Sequence, residues 1–329
     1  MTRRAAFLRY ALPDPFTVLL LGAVGLALAL PATGALFGLM SFLADLVVAF
    51  LFFLHGAKLS RENLKAGLAN WPLHLIILAS TFLLFPLLAL GLKPLWETLA
   101  GHELYLGILF LATLPSTVQS SIVFTSLSRG NVAAAVCAAS GSSLLGVFLT
   151  PLLVSALVRV PSFSWGLEPL GDLFAQLLAP FVVGQIARPK LAPLLQKRRA
   201  LLGFTDRLAV IFIVYVSFSS SLSAGVFRGF SLQSLGGLAA AASLLLALAL
   251  TLTFLVGKAF RFSREDRVAI LFCGSKKSLM AGVPIANIIF PPAAVGAFLL
   301  PLMVFHQIQL IVCAWLARLW ARGVPDDKD

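Results

Sequence analysis

Apolar residues run through this chain in blocks of about twenty, separated by short polar stretches, instead of the strict alternation of a strand or the single stripe of a surface helix. Blocks of that length match the hydrocarbon thickness of a bilayer, about 30 Å. Ten membrane-spanning helices are expected, at roughly 16–34, 42–58, 71–92, 104–127, 132–157, 169–187, 208–226, 234–257, 266–289 and 294–317. Only Pro31-Ala32-Thr33-Gly34, without a charge, divides the first span from the second, so Asp45 sits either at an interface or deeper.

Two of these spans are broken near their middles. The fourth carries Leu114-Pro115-Ser116-Thr117-Val118-Gln119-Ser120-Ser121, where Pro115 removes a backbone donor and clashes with the preceding turn. The ninth opens on Glu265-Asp266 and carries Gly274-Ser275-Lys276-Lys277-Ser278. One ammonium at the centre of a span costs about 2.5–3.5 kcal/mol on insertion scales, so two in a row require a polar cavity or partners. With five spans before a boundary at 160–168 and five after it, the halves 1–160 and 161–329 have opposite membrane orientation, and spans four and nine correspond. Paired discontinuous helices in inverted repeats mark a midplane site in transporters.

Composition adds to this picture. Of 329 residues, 60% are hydrophobic and 12% charged, and the mean hydropathy is +0.98, which a soluble domain of this length rarely combines. Alternating the sides of ten spans puts twenty basic residues on one face, including Arg3, Arg4, Arg9, Arg61, Lys65, Arg198, Arg264 and Lys328, and leaves Lys93, Arg159 and Arg228 on the other. With Lys276 and Lys277 these account for all 25. The positive-inside rule then places both termini in the cytoplasm. A net charge of +12 spread over loops points to anionic lipid of the bilayer and not to nucleic acid. Arg3, Arg4 and Arg9 before an apolar run imitate a secretory signal, but cleavage would leave nine spans, so a retained first helix is expected. Cys137, Cys273 and Cys313 all fall within spans, against a disulfide framework, and four scattered histidines without paired carboxylates make no metal site.

Four stretches carry a family likeness: Leu51-Phe52-Phe53-Leu54-His55-Gly56-Ala57-Lys58-Leu59-Ser60; Pro115 to Ser121 with Arg129-Gly130-Asn131-Val132-Ala133; Phe272 to Leu279; and Phe305-His306-Gln307-Ile308-Gln309-Leu310. In these the chain resembles the bile acid:sodium symporter family, in the branch of bacterial proteins related to its seventh human member. The resemblance spans nearly the whole chain. It implies an all-α membrane protein of ten helices in two inverted five-helix repeats, with a panel domain from spans 1, 2, 6 and 7. The core domain would hold spans 3–5 and 8–10, with the broken spans four and nine crossing inside it. Where the sodium-coupled branch has oxygen ligands, this sequence has Ser121-Ile122, Ala135, Ala139, Phe272 and Lys276. A lysine supplies no oxygen to Na+, so the sodium chemistry is expected to be replaced by positive charge.

The function expected is alternating-access secondary transport of a small organic anion in the cytoplasmic (inner) membrane, with a proton in preference to Na+ as the coupling ion and no cofactor or metal. Lys276 and Lys277 would attract the anion, Gln119, Ser120, Ser121 and Ser278 would supply hydrogen bonds at the opened backbone, and His306 and Gln307 would line the cavity. Two adjacent buried ammoniums repel, so a proton shared by the lysine pair is expected to link binding to pH. The plainer readings are lysines snorkelling from a span end, His306, Gln307 and Gln309 as interhelical glue, and Ser116, Thr117, Ser140, Ser142 and Ser143 as close-packing hydroxyls. A passive channel, or a hydrolase using a dyad of Lys276 with Ser275 or Ser278, are the alternatives.

Overall fold

The computed structural model describes residues 15–58, 70–158 and 167–322. Arg3, Arg4, Arg9, Arg61, Lys65, Arg159 and Lys328, with most of the expected 160–168 boundary, lie outside the described residues. Among the described residues the regular structure is helical, with no strand. The helices are α1 (Pro15–Ala29), α2 (Gly34–Lys58), α3 (Trp71–Ala79), α4 (Phe85–Gly91), α5 (Lys93–Ala100), α6 (His102–Thr113), α7 (Gln119–Leu127) and α8 (Val132–Leu157). Then come α9 (Leu167–Lys197), α10 (Arg199–Ser223), α11 (Leu232–Ala259), α12 (Arg264–Gly274), α13 (Leu279–Ile289) and α14 (Pro292–Arg322).

Seven segments among the described residues are long and apolar enough to cross a membrane: α2, 71–91, α8, α10 from Leu201, α11, 264–289 and α14 up to Ala321. Helices α1 and α6 are apolar but shorter. The chain is therefore a multi-pass membrane protein.

Several helices differ from the sequence expectation, among them α10, which begins at Arg199 instead of 208. Helix α2 begins at Gly34, eight residues before expected, because Gly34 adopts a positive φ and turns the chain at once. Helix α9 runs on through Pro189 and Pro193 to Lys197, into the basic stretch expected as a loop. Pro189 and Pro193 lie on its exposed side, where carbonyls that lose a donor face solvent or headgroups. The third span is not a uniform α-helix, since a π-helical turn at Ser80–Leu84 joins α3 to α4.

Packing follows the small residues. Gly56 of α2 lies against the Phe181 carbonyl of α9, and Gly184 of α9 against the Phe53 carbonyl, so the two backbones touch. Gln185 Nε2 donates to the Gly56 carbonyl at 2.8 Å, and Lys58 pairs with Asp206 of α10 at 2.5 Å. Tyr215 of α10 donates to the Leu30 carbonyl, which closes a group of α1, α2, α9 and α10. Elsewhere in the fold, Asn131 caps α8 through Ala134 N–H and donates to Asp266 Oδ1 at 2.8 Å, which docks the start of α8 on the start of α12. Arg264 reaches the carbonyls of Ser128 and Trp320 and adds the end of α14 to that junction.

Gly184→Ala places a methyl group where the Phe53 carbonyl lies, whereas Gly22→Ala meets nothing within 4 Å. Overpacking of this kind typically costs about 1–3 kcal/mol. Thermal unfolding in detergent should show a lowered midpoint for Gly184→Ala and none for Gly22→Ala; equal midpoints would contradict the close α2–α9 contact.

Candidate functional site

The two broken helices meet at their breaks. Helix α6 stops at Thr113 and its continuation α7 starts at Gln119; α12 stops at Gly274 and its continuation α13 starts at Leu279. At membrane depth every backbone group must find a partner inside the protein. The Ser278 N–H donates to the Pro115 carbonyl at 2.9 Å, Ser116 Oγ to Cys273 O at 2.5 Å, and Ser121 Oγ to Phe272 O at 3.0 Å. Helix α8 supplies the rest: Ser142 Oγ accepts from Ser116 N–H and Thr150 Oγ1 donates to Thr113 O. Gly146 of α8 leaves the space that Pro115 fills, since a Cβ there would lie 2.7 Å from the proline ring.

Lys277 is fully buried, and its ammonium donates to three carbonyls: Thr81 O at 2.6 Å, Ala112 O at 2.7 Å and Leu114 O at 2.7 Å. Each of these oxygens is free for a local reason. In the π-turn Phe85 N–H bonds to Ser80 O five residues back; the next donor in that register for Thr81 O would be Pro86, which has none. Ala112 O loses its helical donor because Ser116 N–H goes to Ser142. Leu114 O lies in the break itself. Three acceptors at bonding distance match the three N–H groups of an ammonium. Phe85 presents its ring face 4.3 Å away. The backbone of Lys277 is gripped as well: its N–H donates to Gln309 Oε1 and its carbonyl accepts from Gln309 Nε2, both at 2.9 Å. The second hydrogen of that amide points to His306 Nδ1, which therefore accepts, so the imidazole proton belongs on Nε2.

Lys276 is equally buried but differently placed. Its one hydrogen bond goes to Ser120 Oγ at 3.2 Å, and its ammonium stands over the rings of Phe124 at 4.4 Å and Phe272 at 5.9 Å. Ser120 donates to Thr117 Oγ1, Thr117 and Ser121 share the next bond, and Ser121 donates to Phe272 O, so a file of three hydroxyls leads from the lysine to the last turn of α12. Among the described residues no carboxylate pairs with either lysine. Among the described residues two donors of Lys276 have no hydrogen-bond partner, whereas all three of Lys277 have one.

The residues expected at a site thus separate. Lys276, Ser120 and Ser121 lie together; Lys277 and His306 join through Gln309; and Ser278 caps α13 by accepting from Ala281 N–H. Gln119 is exposed at the start of α7, and Gln307 turns away to accept from Thr17 of α1 at 2.9 Å. On a helix Gln307 and Gln309 are about 200° apart, so only one faces the crossing. The hydroxyls of Ser275 and Ser278 are engaged with backbone groups and not with a lysine. Thr81, Pro86, Phe85 and Phe124 had not been expected to take part, whereas Gln309 acts between helices as in its plainer reading. Pro86, in an apolar span and next to Ser80-Thr81, is the one signal that could have pointed to the π-turn.

A model of the SBF-like CPA transporter family matches residues 14–322. A Pseudomonas aeruginosa protein, PA2026, is 48% identical over 316 residues, covering 96% of this chain and 95% of that one. The Escherichia coli (strain K12) protein named "Putative symporter YfeH" is 44% identical over 310 residues, covering 94% and 93%. The Danio rerio protein named "Sodium/bile acid cotransporter 7" is 29% identical over 293 residues, covering 84% of each. With a match over nearly its whole length and relatives named as symporters and cotransporters, the chain belongs to the SBF-like CPA transporter family, the bile acid:sodium symporter type of membrane transporter.

Proposed function

We propose that this protein is a secondary active transporter of a small organic anion, working by alternating access in the cytoplasmic (inner) membrane, with Lys276 as the residue that meets the anion. The observation that carries this reading is the buried Lys276 ammonium at the crossing, with one hydroxyl partner and no carboxylate. One charge-assisted hydrogen bond contributes about 1.5–3 kcal/mol, of the same order as the cost of placing one ammonium in a span, and two donors of this cation, without a hydrogen-bond partner among the described residues, are left for an anion. In the present state Lys276 is closed off, and an anion reaches it only when the surrounding helices part, as alternating access requires.

The architecture in this reading is ten spans in two inverted repeats, 1–160 and 161–329. The helix pairs α6/α7 and α12/α13 are the two broken spans, each a helix that stops and resumes after a gap, 114–118 in the first and 275–278 in the second. A panel of α1, α2, α9 and α10 moves against the rest, in keeping with the mutual packing of those four. Positive charge replaces sodium chemistry at the crossing: Lys276 and Lys277 stand there, and Ala135, Ala139 and Phe272, all buried, offer no side-chain oxygen. A proton exchanged at the lysine pair then serves as coupling ion, carried by Lys276, since the Lys277 ammonium is committed to three carbonyls. Ser120 and Ser121 hold Lys276 in place; Ser278, Lys277 and His306 hold the crossing.

Thermal stabilisation of the purified protein across carboxylates, sulfonates, phosphates and sulfate tests the anion. At least one class should stabilise, equally in Na+ and in choline at the same ionic strength. Lys276→Met should weaken that binding by roughly ten- to a hundredfold, the value of one charge-assisted bond, and Lys276→Arg should keep part of it without its pH dependence. Unaltered anion binding in Lys276→Met, or stabilisation that needs Na+, would contradict the proposal. For the topology, cysteines at Arg198 and Arg264 should react from the cytoplasm and at Lys93 and Arg228 from outside; Arg198 and Arg228 on one side would refute ten spans.

A further inference from the structure

A second polar site lies away from the crossing, between α2, α10 and α13. A cavity of about 60 Å³ is lined by Ser41 and Asp45 of α2, Ser217 and Ser220 of α10, and Asn287 of α13, with apolar side chains filling the rest. Asp45 is near the middle of a 25-residue helix, about 16 Å along it from Gly34. An ionisable residue at that depth is costly and marks a functional site by default. Asp45 is the one titratable group lining the cavity, and α10 and α13 contribute hydroxyl, amide and apolar groups there but no charged one. Among the described residues Asp45, which is exposed, forms no ion pair, so no basic partner locks the carboxylate in its ionised form.

Its partners suit both protonation states. Ser217 Oγ donates to Asn287 Oδ1 at 3.4 Å, and Asn287 Nδ2 faces Asp45 Oδ1 at 3.5 Å, an arrangement that serves an ionised carboxylate. If the amide turns over, Asn287 Oδ1 accepts from a protonated Asp45 and Nδ2 donates to the Ser217 hydroxyl, so the neutral acid is satisfied by the same two groups. The bond across the seam is charge-assisted in the first state and neutral, hence weaker, in the second. We propose that Asp45 is a proton-binding site at the seam between α2 and α13, and that proton uptake from water in the cavity loosens this seam. The inference rests on the transporter reading but not on the anion site at Lys276.

The test is labelling of Ser220→Cys by a membrane-impermeant maleimide in full-length protein carrying Cys137→Ser, which removes the one native cysteine that is not buried. Labelling is compared with the same protein carrying Asp45→Asn, so that the pH dependence of the reagent cancels. The ratio of the two rates should change by roughly fivefold between neutral and acid pH, the difference between a charged and a neutral hydrogen bond. Asp45→Asn should label as the acid form does at every pH, and Lys276→Met should leave the effect intact even if anion binding is lost. The same pH dependence with and without Asp45 overturns the proposal. So does a change in labelling when Na+ replaces choline at constant pH and ionic strength, which would make the cavity a sodium site.

Discussion

The Lys277 ammonium ties together three segments that have each lost backbone hydrogen bonds: the π-turn after α3, the end of α6 and the break that follows it. Such segments are unstable at membrane depth, because an unpaired carbonyl there has no water to turn to. One side chain with three donors satisfies all three oxygens at once. At about 1.5–3 kcal/mol for each charge-assisted bond, these outweigh the roughly 2.5–3.5 kcal/mol that a lysine costs in a span. The end of α6 also carries the negative pole of a helix dipole, which a cation complements. Gln309 then fixes the lysine's own backbone from α14, so the crossing is held from both sides.

Holding the crossing in this way frees its neighbour. Adjacent residues in the unwound stretch point in different directions: Lys277 toward α3 and α6, Lys276 toward α7 and the rings of Phe124 and Phe272. One lysine ties the broken segments together and the other keeps a single hydroxyl partner. The same division runs through the serines, since Ser116, Ser278 and Ser142 are committed to backbone while Ser120 faces the lysine.

Much of this was legible from residues that violate their surroundings. Pro115 and the Gly274-Ser275-Lys276-Lys277 run stand out in apolar blocks because a proline and two charges are costly there, and both fall at helix breaks. The partners of Lys277 were not legible, because they are carbonyls, which every residue has; what singles them out is a lost donor elsewhere, at Pro86 or at Ser116. Gln307 and Gln309 could not be told apart without the phase of α14. Helix α9 outran its expected end because prolines on an exposed side cost less than prolines facing a neighbour. Asp45 was visible as a charge in an apolar run, but its partners Ser217 and Asn287 lie 172 and 242 positions further along the chain.

The claim that Lys277 builds the site and Lys276 serves it is tested most directly by comparing the thermal unfolding midpoints of Lys277→Met and Lys276→Met in the same detergent. Methionine at 277 leaves three buried carbonyls without a donor, at about 1–3 kcal/mol each, whereas methionine at 276 frees one hydroxyl. A large drop in midpoint, or failure to fold, for Lys277→Met alongside a nearly unchanged Lys276→Met is the result expected. Equal midpoints, or a Lys276→Met that is the less stable of the two, would contradict the account.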